Sequence, residues 1–122
     1  MIKYLEMRSE LIDLLHALSD SDYQRNCWVL GDCPPGVIDN FDLAVQFLFD
    51  DTQLAQKPEL WVGEILKSNI EADAMRNLGD AINGILNVYG TDKSDAEYIN
   101  TREWSDVIKL ASEALKIIVT EH

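Results

Sequence analysis

Residues 68–90 read SNIEADAMRNLGDAINGILNVYG, and the fold class turns on how this stretch is understood. Ile70, Ala74, Leu78, Ile82, Ile85 and Tyr89 recur at steps of three and four, which lines them along one side of a helix. The opening SNIE is a capping-box pattern: the Ser68 hydroxyl can accept from the third amide while Glu71 reaches back. Gly90 stands where the run stops, and a residue without a Cβ leaves helical geometry most easily. Start, stripe and stop agree, so the stretch predicts a long amphipathic α-helix.

The same signals extend outward in both directions. Toward the carboxyl end, SDAE at 94–97 repeats the capping box for a short helix. Trp104, Val107, Ile108, Ala111, Leu115 and Ile118 then predict a last long helix, with Lys109 and Lys116 placed to suit its dipole. Toward the amino end, Pro58 suits the first turn of a short helix over ELWVGEIL, although WVGEIL fits an extended segment equally well. Asp39 or Asn40 can start a helix that runs to about Asp50, with Phe41, Ala44, Val45, Leu48 and Phe49 on its apolar side. GDCPPG at 31–36 is a loop, because two prolines lack amide donors and glycines flank them. Ser19 or Ser21 can cap a short helix through YQRNCWV. In the first segment Tyr4, Met7, Leu11, Leu14, Leu15 and Leu18 mark a buried stripe, with Glu6, Glu10 and Asp13 on the wet side. Nothing alternates with a period of two, and no repeat or linker divides the chain. The expected fold is all-α, a compact single-domain bundle of about five or six helices over residues 1–122.

Composition narrows the function classes. The chain has 122 residues and 47% apolar side chains, enough for one buried core. MIKYLEMRSE contains no uninterrupted apolar run, so neither a signal peptide nor a membrane span is expected, and a cytoplasmic location follows. Cys27 and Cys33 stand in a C-x5-C spacing without partner cysteines, which is no zinc pattern; two reduced thiols are expected. Twenty-two acids against ten bases give a net charge of −12, beyond the magnitude of about 2–8 that solubility asks of a small domain. Such a field repels nucleic acid and anionic membrane and attracts cationic surfaces.

Catalytic groups are scarce. The histidines are His16, beside the first apolar stripe, and His122, the last residue; both read as structural or surface groups. There is no nucleophile elbow, phosphate loop or H-E-x-x-H. Asp39 and Asp42 are three apart, as are Glu10 and Asp13, while Glu71 and Asp73 are only two apart; a helical metal-dependent hydrolase needs such pairs to converge from more than one element, and spacing alone does not bring them together. The residues predict no enzyme, no metal and no cofactor.

Negative charge gathers instead. From Asn26 to Gln56 no lysine or arginine occurs in 31 residues, and Asp32, Asp39, Asp42, Asp50 and Asp51 lie there. On a helix, Asp39, Asp42, Gln46 and Asp50 would share one ridge, and the acids at its far end oppose the dipole. Trp28 and Trp61 flank the window as candidate anchors, although burial in a core is the commoner fate of tryptophan. These seven residues form the expected partner-binding set.

ALSDSDYQRNCWV, the Pro-Gly loop with its D-x-x-D, FLFDDT, PELWVGEIL and EWSDVIKLASEAL together resemble a family of small acidic bacterial proteins without known activity. The likeness runs from about Ala17 to Leu115, strongest at Tyr23, Gln24 and Trp28, at 48–52 and at 62–66. Some small acidic proteins of this kind are similar to immunity proteins of contact-dependent growth inhibition and other polymorphic toxin systems. The resemblance implies a cytoplasmic protein that binds and blocks a toxin domain, many of which are nucleases. A nuclease must present a basic surface to its polyanion, and an acidic inhibitor exploits that surface. An acidic regulatory or scaffold protein is the alternative expectation, and a metal-dependent helical hydrolase the least favoured.

Overall fold

The computed structural model describes residues 2–120. Six α-helical segments occur in order: α1 (Leu5–Leu18), α2 (Ser21–Tyr23), α3 (Phe41–Val45), α4 (Asn69–Tyr89), α5 (Asp95–Ile99) and α6 (Trp104–Val119). Two of them continue into wider π-helical turns, α2 into Gln24–Val29 and α3 into Gln46–Asp51. A 3-10 turn covers Pro58–Trp61, and the described residues hold no strand, only an isolated bridge between Val62 and Leu66. The fold is all-α, as the helical periodicity predicts.

The long helices form where their caps are. The Ser68 hydroxyl accepts from the Glu71 N–H at 3.4 Å, and α4 ends at Gly90, whose φ of 89° and ψ of 177° are open only to glycine. At α5 the capping box closes fully between Ser94 and Glu97. The Ser94 backbone N–H and hydroxyl hold the Glu97 carboxyl below its ordinary range. α6 packs against both α1 and α4. Leu11, Leu15 and Leu18, Leu78, Ile82 and Ile85, and Val107, Ala111 and Ile118 meet in one core. Beside it Phe41 lies 5.0 Å from Tyr98 and 5.2 Å from Trp104, ring centre to ring centre, which pins α3 to α5 and α6.

Two buried polar groups stitch these elements together. Arg8, a cation on the same stripe as Leu11, Leu15 and Leu18, donates to both carboxylate oxygens of Glu71 at 2.8 and 3.0 Å. It also donates to the Ile65 and Ile118 carbonyls, and Glu71 accepts the Lys67 N–H as well. Gln24, wholly buried, donates to the last carbonyls of α1 at Ala17 and Leu18 and accepts the Trp104 indole N–H at 2.9 Å.

Several expectations are corrected. Tyr4 precedes α1 and is exposed, while Arg8 takes the buried position; Ile70 is 63% exposed because the α4 stripe begins one residue later, at Glu71. Asp20, not a serine, caps α2 by accepting the Tyr23 N–H at 3.0 Å. Of Asp39 and Asn40, it is Asn40 that starts the third helix, by accepting the Leu43 N–H, and the winding changes to π at Gln46 before the expected end near Asp50. Most consequentially, Cys27 and Cys33 are not free thiols but a disulfide. The π turn ends at Val29, the chain reverses through Gly31 at a φ of 75°, and the Asp32 N–H returns to the Asn26 carbonyl at 2.7 Å, which brings the two sulfurs together. The expectation of reduced thiols rested on compartment, which carries no information about this proximity.

Candidate docking groove

The seven expected binding residues separate into different roles. Asp39 is half-buried and occupied internally: its Oδ2 accepts from the Tyr23 hydroxyl at 2.7 Å and the Trp28 indole N–H at 3.0 Å, and its Oδ1 from the Asn40 N–H. Burial, this hydrogen bond and the Asp39 charge together hold the Tyr23 hydroxyl well above the ordinary tyrosine range. Trp28 is 8% exposed and packs on Phe41 and Trp104, so it belongs to the core. Trp61 is half-buried, donates its indole N–H to the Thr52 carbonyl at 2.7 Å and meets Tyr4 edge-on. Neither indole is a free anchor.

Asp32, Asp42, Asp50 and Asp51 are exposed. The single ridge expected for them does not form, because Asp39 lies before the helix and the winding widens after Val45. Asp42 instead joins Asp39 near Asp95, which accepts the Phe41 N–H at 3.2 Å. Burial, and then the charges of Asp42 and Asp39, push the Asp95 carboxyl above its ordinary value, while the Phe41 N–H acts in the opposite sense. Among the described residues, the ion pairs engage Glu64, Glu71, Asp22, Glu59 and Asp73. Among the described residues, none of the five expected aspartates forms an ion pair with a cation of the molecule.

A groove of about 750 Å³ opens beside Asp39 and Trp28. Glu10, Asp13, Leu14, His16 and Ala17 of α1 form one wall. Pro34, Val37, Ile38 and Asp39 form another wall, and Leu43, Ala44 and Phe47 complete the lining from α3 and its π extension. Asp20 and Tyr23 close one side. No lysine or arginine lines it. Ile38 is 87% exposed and Leu43 40%, so the groove pairs apolar surface with a carboxylate rim. Such a lining accepts an aliphatic or aromatic side chain and a neighbouring ammonium or guanidinium. Both π segments contribute to it, through Trp28 and Phe47, and π turns are frequent at functional sites. Among the described residues no three His, Cys, Asp or Glu side chains converge as a metal site. No helix among them is long and apolar enough to cross a membrane.

A family model described as "Domain of unknown function (DUF7945)" matches residues 2–122. The chain belongs to the DUF7945 family. No curated protein and no solved structure matches it. In this DUF7945 chain the reading of residues missed Glu10, Asp13 and Asp20 as rim acids and Ile38, Leu43 and Phe47 as exposed or partly exposed lining. A signal for the acids exists: residues 9–56 contain nine acids and one base, Arg25, so the cation-poor region begins in α1. The apolar residues could not be told from core residues by periodicity.

Proposed function

We propose that this protein is a non-enzymatic binding protein of the immunity type, which neutralises a basic toxin domain, such as a nuclease, by docking it in the acidic groove. The groove itself carries this reading: apolar lining at Leu14, Val37, Ile38 and Leu43, carboxylates at Glu10, Asp13 and Asp20 beside the internally bonded Asp39, and no lysine or arginine. The net charge of −12 steers a cationic partner toward it, and Asp32, Asp42, Asp50 and Asp51 add to that field from exposed positions. Desolvation of Ile38 and Leu43 then slows dissociation. Asp39 acts indirectly, by holding Tyr23 and Trp28 at the groove edge.

The test is co-expression with a toxin encoded beside the gene, scored as survival of the host. Wild type protects; Glu10→Lys with Asp13→Lys loses protection while its melting temperature stays close to wild type, since both side chains are exposed. Full protection by the double variant removes the groove from the reading.

The disulfide favours a second reading. Immunity requires the cytoplasm, whereas disulfides persist in oxidising compartments. There, the same groove serves an acidic regulatory or scaffold protein. Trapping thiols in intact cells separates the two: a free Cys27–Cys33 pair supports immunity, and an oxidised pair supports the second reading.

A further inference from the structure

We infer that the Cys27–Cys33 disulfide holds the outer wall of the groove in its docking position, so that reduction releases the wall and weakens partner binding. The bond joins Cys27, 3% exposed in the core, to Cys33, the residue immediately before the wall that begins at Pro34. Residues 32–39 contain no helix, and Val37 and Ile38 face solvent. The wall is fastened at its far end by Asp39, through Tyr23 and Trp28. At its near end it is fastened by the disulfide and by one backbone hydrogen bond, from the Asp32 N–H to Asn26. The Val37 N–H bonds only to Pro34, within the wall itself. Without the covalent tie, the segment carrying Val37 and Ile38 is anchored firmly at one end only, and the apolar surface it presents loses its fixed position.

Reduction proceeds by exchange with a dithiol. An external thiolate attacks the Cys33 sulfur, which is less buried than Cys27, and the sulfur–sulfur bond breaks with its electron pair passing to Cys27, which takes up a proton. The second thiol of the reductant then attacks the mixed disulfide and frees Cys33. Two electrons and two protons enter the protein, and the dithiol leaves as its own disulfide.

The gating half of this inference rests on the docking groove in its second reading, a regulatory or scaffold protein of an oxidising compartment; the release of the wall does not. Hydrogen–deuterium exchange of the wild-type chain, with and without dithiothreitol, tests release. The hydrogen-bonded amides of Asp32 and Val37 exchange about tenfold faster or more after reduction, while those in α4 and α6 are unchanged. Unchanged exchange in the wall overturns the inference, and so does faster exchange throughout, which would make the bond a staple of the whole fold. A variant carrying Cys27→Ala and Cys33→Ala reproduces the local pattern without reductant. Gating is measured by titrating a lysine-rich amphipathic helical peptide into both forms, and reduction raises its Kd about tenfold. Equal binding overturns gating. Binding to neither form removes gating together with the docking reading, and the exchange result then stands or falls by itself.

Discussion

At Asp39 one carboxylate oxygen accepts from two side chains five residues apart on α2 and its π extension, Tyr23 and Trp28. Asp39→Ala leaves both donors in a half-buried site without their acceptor, and urea denaturation is expected to show a loss of about 2 kcal/mol. Asp42→Lys, on the exposed side of α3, is expected to stay within about 0.5 kcal/mol of wild type in the same measurement. Two acids read from the sequence as equivalent are thus distinguished by their neighbours. Tyr23 carries the pH dependence of the Asp39 contact. Its raised value means that the folded state keeps this proton above pH 10.0, where the unfolded chain releases it. Its contribution is complete below that pH and is lost as pH climbs toward the folded value. Melting temperatures recorded through the alkaline range should therefore fall, and Tyr23→Phe should remove that part of the slope.

Among elements, α4 shows how far helix propensity can be carried. By propensity alone, Gly79 and Gly84 are equivalent weak points in a long helix, and alanine at either gains up to about 1 kcal/mol. A Cβ at Gly84 meets nothing within 4 Å, so Gly84→Ala is expected to raise the melting temperature. A Cβ at Gly79 would stand 2.7 Å from both the Cβ and the carbonyl oxygen of Ala55, so the helix touches the connecting loop there. Gly79→Ala is expected to cost about 1–3 kcal/mol by chemical denaturation, the opposite sign. The residues 94–97 and 68–90 were legible as helix starts and stripes because caps and periodicity act within a few residues. The π turns were not, since nothing in QRNCWV or QFLFDD by itself distinguishes i+5 from i+4 bonding.

Across the molecule, the Arg8–Glu71 pair links α1, α4 and, through the Ile118 carbonyl, α6. Both side chains are buried, and the arginine also satisfies the Ile65 carbonyl, so the pair fixes how three helices meet. Removing one partner strands the other charge out of water. Glu71→Gln is expected to lower unfolding free energy by about 3–5 kcal/mol, measured by urea denaturation monitored by circular dichroism. Arg8→Met is expected to fall in the same range, whereas both changes together should cost less than their sum, because neither charge is then left unpaired.

The amino-acid sequence alone determined that the protein is all-helical, where its longest helix, α4, begins and ends, and that its field is strongly negative between residues 26 and 56. Those properties depend on neighbouring residues or on a simple sum of charges. Tertiary structure decided which acids remain available: Asp39 is consumed by Tyr23 and Trp28, while Glu10 and Asp13 line a groove with Ile38 and Leu43. It also decided that Cys27 and Cys33 meet, and that Arg8 rather than Tyr4 turns inward. Each of these outcomes depends on how segments cross in space, and a pattern of spacings along one helix does not contain that distance.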